Sequence, residues 1–206
     1  MIWAVGSRAR SRAVEGVPGD SSMVVSAKTY EQVALEDPDG QWELYHGCLR
    51  QKPGMTFDHN RTIRKLAIRL TKQLDEFEFE VAMDLSRLHI TTGSYYIPDL
   101  AVIPVALARR GQRDRGTGLE VYEEPLPLVV EVWSPSTGDY DVEVKLQEYQ
   151  RRGDAEIWRL HPYEHTLTAW RRQPDGSYTE SVYHHGTVEL VALPGVSIDL
   201  DALFEE

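Results

Sequence analysis

The sequence predicts one domain of the mixed α/β (α+β) class, and three observations predict it. Short β-branched runs bounded by turn residues alternate with stretches whose apolar residues recur at the three-and-four spacing of a helix. Helices and strands intermix along the chain rather than segregating into halves. At 206 residues, 41% hydrophobic and 27% charged, the chain has room for one sizeable core and is short for two.

Residues 1–25 stand apart. Arg8, Arg10 and Arg12 lie there among small residues, with Gly16, Pro18 and Gly19 and no amphipathic period. This reads as a disordered extension preceding a domain over 26–206. Its apolar start is too short for the hydrophobic region of a signal peptide. Order begins at Ser26 or Thr29, either of which can cap a short helix with Tyr30, Val33 and Ala34 inward. A hairpin follows over 41–51, turning at His46-Gly47. Asp58 is the expected cap of a helix over 59–77, in which Ile63, Leu66, Ala67, Leu70 and Leu74 form the buried face. Arg61, Arg64 and Lys65 lie on its other side, as a solvated face or a phosphate-facing one.

Strands are expected over 78–84, 87–92 and 95–103, and a mobile loop with several arginines over 104–124. Leu128, Val129, Val130, Val132 and Trp133 then make a strand that is apolar on both faces. Ser134-Pro135 ends it, because a residue before proline is held in extended space. A helix capped by Thr137 or Asp139 follows, then a strand over 155–160. A hairpin spans 166–183 around Pro174-Asp-Gly176, and a short strand and a closing segment occupy 188–204.

Composition excludes several functions. Cys48 is the single cysteine, so there is no intrachain disulfide framework and no cysteine zinc cluster; the chain suits a reducing cytoplasm. No apolar run approaches the roughly 20 residues that span a bilayer. The net charge of −11 argues against holding nucleic acid by a broadly basic surface, though not against an acidic site that takes a divalent cation.

The residues that point to chemistry are acids in unsuitable places. Asp99 and Glu131 interrupt the most apolar strands, where an unpaired carboxylate costs several kcal/mol. Glu43 lies on the first hairpin strand, and alternation alone reads it as an outward charge. If these strands are neighbours the acids converge, and converged carboxylates need a shared proton or a cation. Oxygen ligands suit Mg²⁺ or Mn²⁺. On the helix after Thr137, Asp141, Lys145 and Tyr149 follow at spacings of four on one face. They form either a surface ladder or a means for Lys145 to reach the acids. The histidines are scattered; His59, at the start of the basic helix, can approach the site but reads more readily as a capping or surface residue, and most of the tryptophans read as core.

Trp42-Glu-Leu44 with Gly47, Pro98-Asp99, Glu131-Val-Trp-Ser-Pro-Ser-Thr137, Asp141, Lys145, Tyr149, Gly153 and Trp158 occur in an order that resembles the Uma-two family of endonucleases, within the PD-(D/E)xK nuclease superfamily. The resemblance implies a restriction-endonuclease-like central mixed sheet flanked by helices, with additional C-terminal strands. It implies Mg²⁺- or Mn²⁺-dependent hydrolysis of phosphodiester bonds in DNA, often by a homodimer. It makes Asp99, Glu131 and Glu43 the metal ligands and Lys145 the catalytic cation. Asp141 and Tyr149 would support that lysine, and Arg61, Arg64 and Lys65 would touch nucleic acid. The superfamily's lysine position holds Trp133 here, so the lysine is displaced into the helix. Ile157 and His161 replace a tyrosine and an aspartate of the family pattern. Two other readings use the same acids: a non-catalytic binding protein of this fold, and a hydrolase of small phosphoesters.

Overall fold

The computed structural model describes residues 24–90, 93–115, 119–135 and 140–205, the side chains of 111–115 and 140–143 excepted. Helix α1 (Ala27–Glu36) begins at Ser26, whose side chain accepts the Thr29 N–H at 3.2 Å. Hairpin β1 (Trp42–Tyr45) and β2 (Cys48–Gln51) turns at His46-Gly47 as the sequence predicts, both residues adopting positive φ. Helix α2 (Phe57–Thr71) starts and stops earlier than expected. Its cap is Thr56 rather than Asp58: the Thr56 hydroxyl accepts the His59 N–H at 3.3 Å. It ends early because the Asp75 side chain takes the Phe77 N–H at 2.9 Å, a local turn that competes with another helical turn.

Strands β3 (Phe79–Met83) and β4 (Arg87–His89) follow. The strand expected over 95–103 is two strands, β5 (Tyr95–Tyr96) and β6 (Leu100–Pro104). The break has a chemical cause. The Ile97 N–H is taken by the Glu43 carboxylate at 2.8 Å, and Pro98 has no N–H to give to a ladder.

The expected loop over 104–124 contains helix α3 (Val105–Arg115) and strand β7 (Val121–Tyr122). Val105-Ala-Leu-Ala-Arg-Arg110 are adequate helix formers, and the single Gly111 costs only about 1 kcal/mol. Burial of Leu107 in the core offsets that cost. Then come β8 (Leu128–Val132), helix α4 (Tyr140–Arg152), β9 (Glu156–His161), hairpin β10 (Thr166–Arg172) and β11 (Tyr178–Tyr183), β12 (Thr187–Glu189), β13 (Ser197–Asp199) and helix α5 (Leu200–Phe204).

The strands form a six-stranded sheet in the order β11-β10-β9-β8-β6-β3, a five-stranded sheet β2-β1-β5-β4-β7, and the pair β12-β13. The large sheet is mixed: β8 and β9 run parallel while β6 pairs antiparallel with β8. Alternation along β8 sends Leu128, Val130 and Val132 toward Ile63, Leu66 and Leu70 of α2. Val129 packs in the opposite layer with Tyr149 of α4 and Ile157. Each fully buried leucine of α2 contributes about 2 kcal/mol of transfer free energy. Helices on both faces explain why β8 has no polar face, and why Glu131 within it requires partners. Among the described residues no helix is long and apolar enough to cross a membrane.

Candidate active site

Three acids lie where the two larger sheets meet, with lysines between them. Glu43 comes from β1, Asp99 from the turn that opens β6, and Glu131 from β8. All three are buried, at 4%, 2% and 8% exposure. Glu43 departs from the outward reading of its strand. Its neighbour Leu44 packs with Tyr30 of α1 on one side, and Glu43 faces the opposite, equally covered side.

Lys145 is only 2% exposed and arrives from α4 between two of these acids. Its Nζ lies 2.9 Å from Glu43 Oε1 and 3.3 Å from Glu131 Oε1. The Tyr149 hydroxyl donates to the same Glu131 oxygen at 2.6 Å. One helical turn therefore delivers both partners of Glu131, as the spacing of four requires. Burial first, and then the charge of Glu131, push the Tyr149 pKa well above its ordinary value, so the phenol stays a donor. Tyr96 meets Tyr149 edge-on with centroids 6.2 Å apart, and Lys145 Nζ lies 5.8 Å from the Tyr96 centroid.

Asp99 has partners of its own. Oδ1 is 2.5 Å from Lys52 Nζ; Oδ2 lies 3.0 Å from His59 Nε2 and accepts the Val132 N–H at 2.6 Å. Lys52 also reaches Asp84 Oδ1 at 2.6 Å. Burial would raise the Asp99 pKa, but Lys52, then His59 and then Lys145 outweigh it and hold the carboxyl well below its usual range. Burial likewise disfavours the Lys52 ammonium. Asp99, Glu131 and Asp84 reverse that effect and raise its pKa. Lys52 is a cation throughout the working range.

Glu43 and Glu131 are joined through Lys145, and Asp84 and Asp99 through Lys52. Carboxylate oxygens are donors of the kind that Mg²⁺ or Mn²⁺ takes, but here they are held by the chain's own cations and hydrogen-bond donors. The arrangement is not yet a metal cluster: among the described residues no three His, Cys, Asp or Glu side chains converge on one point. Lysines stand between the acids.

Other expected residues fall elsewhere. Asp141 lies on α4, but its side chain is outside the described residues. Arg61 Nη2 donates to the Glu205 carbonyl at 3.1 Å and Lys65 Nζ to the Leu203 carbonyl at 3.0 Å, so both tie α2 to the C-terminal end of α5. Arg64 is exposed. Trp133, expected in the core, is half-buried and stacks on His161, centroids 4.3 Å apart. Lys52 and Asp84 are the residues beside Asp99 that sequence reasoning missed, and His59 is one it held only as the lesser reading. Only His59, at the start of a helix, carried a local signal, and it read as a cap.

A crystal structure described as "a putative nuclease belonging to DUF820 from Anabaena variabilis" superposes with a TM-score of 0.71 at 16% identity, over 87% of this chain and 97% of that one. At that identity the likeness shows the fold alone: mixed sheets flanked by helices. No curated protein matches the chain. The family model Uma2, described as "Putative restriction endonuclease", matches residues 27–202. The chain belongs to the Uma2 family.

Proposed function

We propose that the protein is a Mg²⁺- or Mn²⁺-dependent endonuclease that hydrolyses phosphodiester bonds in DNA, on a site of the PD-(D/E)xK type. The observation that carries this reading is Lys145, an ammonium buried between Glu43 and Glu131 beside a second acid cluster at Asp99. Evolution of a merely stable core favours apolar residues over such a group, since a buried ion pair seldom beats a hydrophobic replacement. Family membership and fold support the same reading.

Asp99 and Glu131, with Glu43, would hold the divalent ion, which when bound supplies Lewis-acid polarisation of a phosphoryl oxygen and a more acidic water. The chain's own residues do the rest. Lys145, screened from solvent, places a fixed positive charge where negative charge grows on the phosphoryl oxygens as water attacks phosphorus and the ester P–O bond breaks. Tyr149 and Glu43 fix the position of that lysine and of Glu131. His59 and the Val132 N–H orient Asp99. A homodimer that cuts both strands is the assembly this reading implies.

One observation favours the rival reading, a protein of this fold that binds without cutting: both oxygens of Asp99 are already engaged within the chain. Nicking of supercoiled plasmid separates the two. Wild type is expected to nick in Mg²⁺ and to stop on chelation. Glu131→Gln keeps an acceptor for Tyr149 and leaves Lys145 on Glu43, so it should retain the far-ultraviolet circular dichroism of wild type while cleavage falls about a hundredfold or more. Equal cleavage by Glu131→Gln, or none by wild type on any polynucleotide, removes the assignment.

A further inference from the structure

Trp133 lies one residue past β8 and continues its ladder, donating its N–H to the Leu160 carbonyl at 2.8 Å. Glu131 pairs with Arg159 across β8 and β9, so alternation puts Trp133 and His161 on the face of that pair, about 7 Å farther along the strands. There the indole and the imidazole stack, with centroids 4.3 Å apart and planes inclined by 20°. Tyr163 stands steeply to both rings, 5.8 Å from Trp133 at 88° and 6.3 Å from His161 at 77°. The three rings make a corner with one stacked wall and one upright wall. Solvent reaches it: Tyr163 is 48% exposed and Trp133 half-buried. The corner is also fixed in place. The Glu164 N–H donates to His161 Nδ1 at 3.1 Å, and the Tyr163 hydroxyl meets that of Thr56 at 3.4 Å. Thr56 caps the turn of α2 that carries His59 to Asp99.

We propose that this corner of Trp133, His161 and Tyr163 stacks an unpaired base of a DNA strand, so that the protein takes single-stranded or locally unpaired DNA in preference to intact duplex. This rests on the reading of the site as a nuclease and names the form of DNA that the site accepts. Stacking suits the chain for an electrostatic reason. A net charge of −11 repels phosphates, whereas contact between a base and an aromatic ring needs no basic surface. Bases inside a duplex have both faces covered by their neighbours, and reaching one costs unstacking and unpairing. An unpaired base meets the corner without that cost. Every base has such a face, so the corner selects strand form and not sequence. The arrangement gives a use to two rings, Trp133 and His161, that the acids and Lys145 leave without one.

Fluorescence anisotropy on the full chain, in chelator so that no strand is cut, tests this with three labelled probes of equal length. They are a thymidine oligonucleotide, the same strand with abasic spacers in place of its central bases, and a blunt duplex. Wild type should bind the thymidine strand about tenfold more tightly than either of the others. Trp133→Ala and Tyr163→Ala should each weaken binding of the thymidine strand about tenfold and change binding of the abasic strand by less than about twofold. Trp133→Phe keeps a ring and should recover most of the loss. Equal weakening on all three probes would mark a merely structural role and overturn the proposal. So would a wild type that binds the abasic strand as well as the thymidine strand, or that binds neither. Should Trp133→Ala not fold, the half-exposed Tyr163 carries the same test, and a Tyr163→Ala protein that binds the thymidine strand like wild type rejects the corner. Plasmid nicking separates this proposal from the reading beneath it. A wild type that nicks without discriminating the probes keeps the nuclease and loses the corner, whereas one that discriminates the probes and cuts no polynucleotide keeps the base site and loses the nuclease.

Discussion

Lys145 shows most directly what the site demands of single residues. It is 2% exposed, so its removal strands Glu43 and Glu131 as neighbouring buried carboxylates. Lys145→Ala should therefore lower stability by about 3–5 kcal/mol in urea unfolding, as well as removing cleavage. Adding Glu43→Gln should restore part of that loss, because one of the stranded charges is gone. A Lys145→Ala protein as stable as wild type would mean that the acids are not paired as described. Asp99 and Glu131 were legible in the sequence because an acid inside a β-branched run has no innocent explanation. Glu43 was legible only through the family pattern, since alternation cannot foresee that both faces of β1 are covered. Lys52 and Asp84 had no signal. They meet Asp99 through contacts between distant parts of the chain, and nothing in their immediate neighbourhoods encodes those contacts.

At the scale of elements, the passage from α4 into β9 holds the lysine helix in register. Gly153 takes a φ of 88° to end the helix, a conformation that costs other residues more. Asp154, fully buried, then accepts the Leu126 N–H at 2.7 Å and Arg152 Nη1 at 2.6 Å. Burial dominates its titration. It pushes the pKa up to about 6 in spite of Arg152 and the Leu126 amide. The folded protein therefore binds a proton more tightly here than the unfolded chain does. The resulting stabilisation is full below the unfolded value near 3.8 and fades as pH rises through about 6. Between pH about 7 and about 5, wild type should gain roughly 1 kcal/mol of stability relative to Asp154→Asn, read from denaturant midpoints at the two pH values. A difference that does not change with pH contradicts the buried, proton-binding Asp154. Elements with local signals, α1, the β1-β2 hairpin and the β10-β11 hairpin, were legible from caps and turns alone. Helix α3 was not, because arginines and Gly111 mimic a loop when the burial of Leu107 is unseen.

Over the whole molecule, the site exists because two sheets and two helices meet at one place. Glu43 belongs to the five-stranded sheet, Glu131 to the six-stranded one, and Asp99 to the break between β5 and β6. The Glu43 carboxylate itself creates that break by taking the Ile97 N–H. The geometry of the candidate site and the fold topology are therefore coupled through a single side chain. The mixed class could be read from the sequence, but which strands are neighbours could not, since pairings such as β4 with β7 join distant stretches. On the proposed reading, the net charge of −11 works against a polyanionic substrate and places the burden of attraction on local cations. The most direct measurement is the anomalous scattering of a crystal soaked in Mn²⁺. A peak within coordination distance of oxygens of both Asp99 and Glu131 is the predicted result. An empty map, with Lys52 still on Asp99 and Lys145 still on Glu131, would contradict it.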